Sequence, residues 1–208
     1  MTSSRAIDSF TEIASLRIEL KGTDPLIWRM VEVPTSNTLK VLHDIVQVTM
    51  GWLDYHLWEF VIEGQSYGLP MDDDWGAAPR KVASRVRLRD VLAPGTTTID
   101  YTCDFGDNWE HRLVVSDVRQ GEPGGGACPR FIAGERDCPP EDCGGIPGFH
   151  EMLEARADPA HPDHAEISEW LEDYDPDELD VFPIQVALGR IAARRNAAAK
   201  RIIKPAND

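Results

Sequence analysis

The chain has 208 residues, 42% of them hydrophobic, with six tryptophans and a formal net charge of -15 at pH 7. This length and apolar content suit one packed domain with a helical appendage and exclude a disordered chain. The acidic excess excludes nonspecific nucleic-acid binding by the surface as a whole, because a negative field repels phosphates.

The C-terminus is basic, where Arg190, Arg194, Arg195, Lys200, Arg201 and Lys204 face Asp208 alone. The bland reading of that tail is a helix end whose positive charge complements the helix dipole. No apolar run reaches membrane-spanning length, and the opening MTSSRAIDSF has no hydrophobic signal core, so a cytoplasmic protein with no membrane partner is expected. In that setting Cys103, Cys128, Cys138 and Cys143 are expected as thiols or metal ligands rather than disulfides.

Residues 1–11 are expected to be a flexible N-terminus. Residues 12–21, with Ile13, Leu16, Ile18 and Leu20, predict a strand, and 28–33 its antiparallel partner across a turn at 22–25. Pro34 ends the second strand. Thr35 or Ser36 then caps a helix over 38–50, whose stripe is Leu39, Leu42, Ile45, Val46 and Thr49, and Gly51 stops it. A strand over 56–62 completes a β-β-α-β unit, with 64–68 turning into a short continuation. Residues 71–79 form an acidic loop with a tryptophan, facing five basic residues in 80–89, and 82–92 reads as a short strand or helical turn.

Residues 99–115 predict a β-hairpin. Aromatic and β-branched runs flank Gly106-Asp107-Asn108, and a three-residue loop with Asn108 left-handed pairs Phe105 with Trp109, Cys103 with His111, Tyr101 with Leu113 and Ile99 with Val115. That register puts the apolar pairs on one face and Asp104, Glu110 and Arg112 on the other. Residues 119–147 are dense in Gly and Pro, which argues against regular structure, although Phe131-Ile132 and three cysteines argue for an ordered part over the sheet. Helices follow at 149–157, 162–174 and 184–200. The stretch 137–180 is acidic, with Arg156 its one basic residue, which suits a solvated helical surface.

Four blocks then stand out in order: PLIWRMVEVP (25–34), LHDIVQVTMGWLDYHLWEF (42–60), YTCDFGDNWEH (101–111) and CPPEDCGG (138–145) followed by Gly148-Phe149. Together they resemble the plasmid pRiA4b ORF-3-like proteins, some of which are labelled transposon resolvases. The resemblance implies an α+β fold with a curved, mainly antiparallel sheet and C-terminal helices. It implies one domain over 12–188, its helical part starting near 148, with 189–208 as a basic C-terminal helix or tail. It implies little about activity. The sequence lacks a serine-recombinase arrangement with its arginines, a tyrosine-recombinase pattern and a separate helix-turn-helix domain.

Three constellations carry chemistry. Cys128, Cys138 and Cys143, with His150 after them, offer the thiolates and imidazole that zinc prefers, although their spacing lacks the close CxxC pairs of zinc modules. Asp104, Asp107 and Glu110 at the hairpin end, joined by Glu141 and Asp142 if the PPED turn folds back, offer carboxylates for a divalent cation or a general acid; the competing reading is turn and loop-fixing chemistry. His111 opposite Cys103 offers a base and nucleophile, against a hydrogen-bonded core histidine. Trp109 and the other rings suit the core, or a stacking platform if they line a cleft.

The sequence therefore leads to a non-catalytic binding or interaction module associated with plasmids or mobile elements. Its partner, a protein or small molecule, would meet the surface around the hairpin and the PPED turn. The alternatives are a metal-dependent, hydrolase-like enzyme using the carboxylates with His111, and a nucleic-acid accessory protein binding DNA through the tail. Zinc or another divalent metal is the one cofactor suggested.

Overall fold

The computed structural model describes residues 12–70, 80–121 and 127–203, with side chains to residue 197. The expected flexible N-terminus, the acidic tryptophan loop at 71–79, most of the GEPGGG run and residues 204–208 lie outside the described residues.

Strand β1 (Glu12–Leu20) turns back into β2 (Trp28–Pro34), helix α1 (Leu39–Met50) follows, and β3 (Trp58–Ile62) and β4 (Gln65–Gly68) make a second hairpin. After the two-residue β5 (Lys81–Val82) come two single 3-10 turns, Ala83–Arg85 and Leu88–Asp90. Strands β6 (Thr97–Cys103) and β7 (Trp109–Gln120) form the central hairpin, and β8 (Arg130–Glu135) closes the strand set. Helices α2 (Gly145–Ala157), α3 (His164–Leu171) and α4 (Val181–Ile203) end the described chain.

The strands make one open eight-stranded sheet in the order β5-β4-β3-β6-β7-β1-β2-β8. Every neighbouring pair is antiparallel except β4 and β5. The reason lies in the period-two pattern. Leu16, Ile18 and Leu20 of β1, Ile99 and Tyr101 of β6, and Leu113 and Val115 of β7 all point to one face and are buried. The stripe of α1, Leu39, Leu42, Ile45 and Val46, shares a single core with them. Each such side chain contributes about 1.5–3 kcal/mol by leaving water. Helix α4 packs against α1 and the edge strand β8.

Several expectations are corrected. The hairpin register is shifted by two residues: Cys103 faces Trp109, Tyr101 faces His111, Ile99 faces Leu113 and Thr97 faces Val115. A shift of two keeps the paired strand residues on their expected faces, but the loop is five residues long, takes Phe105 out of the ladder and holds both Asp104 and Asn108 left-handed, each at φ 54. Phe105 is thereby released into solvent.

Thr38, rather than Thr35 or Ser36, caps α1, accepting from Val41 N at 3.3 Å, while Gly51 ends it at φ 84 as expected. The region 119–147 is not wholly irregular. Strand β7 runs through to Gln120 and Arg130–Glu135 pairs with β2, because the apolar-polar alternation there needs only one ladder at a sheet edge. Helix α2 starts at Gly145, since Pro147 falls in its first turn, where no backbone N–H is needed. Helix α4 runs unbroken through Gly189.

Candidate functional site

The hairpin end, the 51–57 loop and the PPED turn meet at one end of the sheet. Asp104 begins the hairpin loop, and its Oδ1 accepts from Gly106 N at 2.9 Å and Asp107 N at 3.3 Å. Its own N–H donates to Leu57 O at 2.9 Å, which fastens the 51–57 loop to the hairpin. The PPED turn does fold back. Asp107 Oδ2 accepts from Gly144 N at 3.1 Å, and Glu141 Oε1 accepts from Leu53 N at 3.1 Å.

Glycine is required at this joint. Gly145 has φ +69, and a Cβ there would lie 2.2 Å from the Asp107 carbonyl oxygen. Asp54, Asp104 and Asp142 also sit left-handed, at φ 60, 54 and 59, a conformation that Asp tolerates better than most side chains.

His56 stands between the two turns. Its Nδ1 lies 3.4 Å from Asp104 Oδ2 and its Nε2 lies 3.6 Å from Asp142 Oδ1. Nε2 is shielded from solvent yet has no hydrogen-bond partner. His56, Asp104 and Asp142 can bring three ligand atoms within 4.8 Å of one another. Beyond Asp142, a cleft of about 490 Å³ runs between α2 and α3, walled by Glu151, Glu154, Asp163 and the half-exposed Trp170.

A second histidine, His43 on α1, has the opposite surroundings. It is fully buried, stacked on Trp58 at 4.0 Å, with Nδ1 2.8 Å from Tyr101 Oη and Nε2 2.6 Å from Asp54 Oδ1. Burial pushes its pKa down to about 4, against the pull of Asp54. A neutral ring then donates from Nε2 to Asp54 and accepts from Tyr101 at Nδ1. Gln47 Nε2 donates to Tyr101 Oη at 2.9 Å and to Cys103 Sγ at 3.2 Å, and Gln47 Oε1 accepts from Asp54 N at 3.2 Å. Burial raises Asp54, but the bond from His43 and the charge of Lys40, 3.2 Å away, hold it below the ordinary carboxylate value. The second grouping of possible metal-ligating atoms, His43 with Asp44 and Asp54, is thus already occupied by Tyr101 and Lys40.

Other predicted site residues are placed apart. Trp109 and His111 belong to the core: both are buried, and Trp52 lies 5.6 Å from Trp109 and 5.3 Å from His111 by ring centroids. His111 Nδ1 donates to Trp109 O at 3.1 Å and its Nε2 has no partner in hydrogen-bonding geometry. Burial pushes its pKa down to about 3, opposed by the nearby backbone carbonyls of Trp109 and Tyr101. Because the register is shifted, His111 faces Tyr101 rather than Cys103, and burial pushes the Cys103 thiol up, so no nucleophile-base pair forms. Glu110 is exposed on the outer face of β7.

The cysteines are not brought together. Cys128 donates to Glu32 O at 3.3 Å, Cys138 accepts from Arg29 at 3.3 Å, and Cys143 lies in the PPED turn. His150 is exposed on α2. Burial pushes Cys128 and Cys143 up to about 11 and Cys138 to about 12, which keeps them as thiols. Among the described residues neither grouping of three possible metal-ligating atoms contains a cysteine.

Comparison with known proteins places the four sequence blocks within one family match. The family model described as plasmid pRiA4b ORF-3-like protein matches residues 12–182. The chain belongs to the pRiA4b ORF-3-like family. It is 36% identical over 191 residues to the uncharacterized protein y4hQ of Sinorhizobium fredii (strain NBRC 101917 / NGR234), an alignment that covers 91% of this chain and 97% of that protein. It is also similar to the crystal structure of a protein of unknown function, MM3350 from Methanosarcina mazei Go1. That match has a TM-score of 0.75 and 33% identity, covering 82% of this chain and 96% of that one. Among the described residues of this pRiA4b ORF-3-like chain, no helix is long and apolar enough to cross a membrane.

Sequence reasoning missed His56 and the His43 network. The signal was present in the 42–60 block, which holds His43, Gln47, Asp54, His56 and Trp58 together. Only the fold reveals that one histidine turns into the core and the other toward two turns distant in sequence.

Proposed function

We propose that this protein is a non-catalytic binding module whose recognition surface is the corner built by the 51–57 loop, the hairpin end and the PPED turn. The observation that carries this reading is the joint itself. Backbone-to-carboxylate bonds at Asp104, Asp107 and Glu141 fix three loops into one platform, on which Asp142 is exposed. Groups able to act as nucleophile or base, Cys103, Tyr101 and His111, are enclosed in the core and engaged there or held neutral. Immobilised partner capture compared between the native chain and Asp104→Ala/Glu141→Ala tests the surface: lost capture supports it, and unchanged capture directs the search elsewhere.

The grouping of His56, Asp104 and Asp142 favours a second reading, a divalent-cation site that would serve a metal-dependent, hydrolase-like enzyme. Elemental analysis of protein purified without chelator discriminates. About one metal per chain, lost in His56→Ala and Asp142→Asn, raises this reading above the first. The nucleic-acid reading loses one cation, since Arg195 is bonded to Ser36 Oγ and partly buried, leaving Arg190 and Arg194 exposed on the described part of the tail. Salt-sensitive DNA binding abolished by Arg190→Glu/Arg194→Glu would restore it.

A further inference from the structure

In Trp52-Leu53-Asp54-Tyr55-His56-Leu57-Trp58 the polar side chains are tied to other elements, Asp54, its side chain 41% exposed, to His43, and the half-buried His56 to Asp104 and Asp142. The apolar ones between them turn outward: Leu53 is 63% exposed, Tyr55 76% and Leu57 48%. Both tryptophans are buried, so the loop is firmly seated on the core. Phe105, 46% exposed, joins them from the hairpin loop that Asp104 N ties to Leu57 O. Single exposed apolar residues are ordinary, but four on two loops fastened to each other and seated on the core by Trp52 and Trp58 is more than a folded surface needs.

The described carboxylates tied to this corner are Asp142, which is exposed, Asp54, whose side chain is 41% exposed, and Glu141, which lies beside Leu53. Among the described cations beside them, Lys40 is paired with Asp44 and Asp54, and Arg80, which stands over the Phe105 ring at 6.0 Å, is paired with Glu59 at 2.6 Å. The acidic body of a second copy meets this rim with repulsion, as does an anionic lipid surface.

We infer that Leu53, Tyr55, Leu57 and Phe105 form a docking face for a basic amphipathic segment of another protein, its apolar side chains on these four and its lysines or arginines on the acidic rim. The inference rests on the binding-module reading and specifies the partner's chemistry. Shape and apolar burial supply the affinity, and the rim supplies orientation and encounter rate.

The test titrates the full chain with three labelled synthetic peptides of equal length, Leu-Lys-Lys-Leu repeats, Leu-Glu-Glu-Leu repeats and oligolysine, by fluorescence anisotropy. The Leu-Lys-Lys-Leu peptide is expected to bind, and Tyr55→Ser/Leu57→Ser to weaken it by about tenfold or more, with the circular dichroism melt unchanged because both side chains are exposed. Equal binding to native chain and variant, no binding of this peptide, or oligolysine binding as well as it does overturns the inference. Binding lost in Asp104→Ala/Glu141→Ala but kept in Tyr55→Ser/Leu57→Ser would overturn this partner chemistry while leaving the binding-module reading in place. Sedimentation velocity supplies the remaining outcome: a dimer abolished by the serine variant makes a second copy the occupant and overturns the inference.

Discussion

His43 and His56 flank the same loop, each has two carboxylates within reach, and they do opposite things. Around His43 every polar atom named above has a partner at 2.6–3.2 Å, and the ring is sealed under Trp58. Around His56 the carboxylates stand off at 3.4 and 3.6 Å and one ring nitrogen has no partner. The His43 network is satisfied and lies in the core, as His111 does although its own Nε2 has no partner, whereas the His56 grouping sits at a loop junction with longer contacts, which is where the proposed recognition surface places it.

The largest effect expected from breaking this contrast is in the core. His43→Ala leaves Tyr101 Oη and Asp54 short of partners and a void beneath Trp58, and should cost about 3 kcal/mol or more in urea unfolding. Acid should reveal the same network. An unfolded histidine takes up a proton near its ordinary 6.5, while folded His43 and His111 resist protonation down to about 4 and about 3. Below pH 6.5 the unfolded chain therefore binds protons that the folded chain does not. Their contribution is fully present above pH 6.5 and is lost as pH falls toward 4 and then 3, by up to about 1.4 kcal/mol per pH unit for each. Urea midpoints measured from pH 7 to pH 4 check this, and His43→Gln should remove one proton's share of the slope.

A smaller effect is expected at the joint. Gly145→Ala strains a left-handed position against the Asp107 carbonyl and should cost about 2 kcal/mol, with faster hydrogen exchange over 139–145 than elsewhere. The smallest belongs to the grouping of His56, Asp104 and Asp142. His56→Ala and Asp142→Asn should each change stability by less than about 1 kcal/mol, because long, partly solvated ion pairs contribute little. A cost as large as that of His43→Ala would place His56 with the architecture.

How much of this was legible in the sequence depended on how local the signal was. The β-β-α-β unit, the Gly51 stop and the two faces of the central hairpin follow from periodicity and turn residues close together in the chain. The register did not, because Asp104 can adopt the left-handed conformation as Asn108 does, and that choice lengthens the loop by two residues without moving any paired strand residue off its face, while Phe105 passes into the loop. Strand β8 was hidden among Gly, Pro and Cys because an edge strand needs a partner on one side only. The PPED turn was identified as a candidate from its carboxylates. Its seat on Asp107 became visible only through the backbone approach at Gly145. His56 stood in the legible 42–60 block, but its role was not legible there, since its two partners lie 48 and 86 residues further along the chain.

The central claim is that the loop corner, and not the core network or the α2–α3 cleft, is the recognition surface. Amide chemical-shift mapping during titration with the Leu-Lys-Lys-Leu peptide tests it most directly. Shifts concentrated at 53–57, 104–107 and 141–145 are predicted. Shifts concentrated at Glu151, Glu154 and Trp170, with residues 53–57 unmoved, would contradict it.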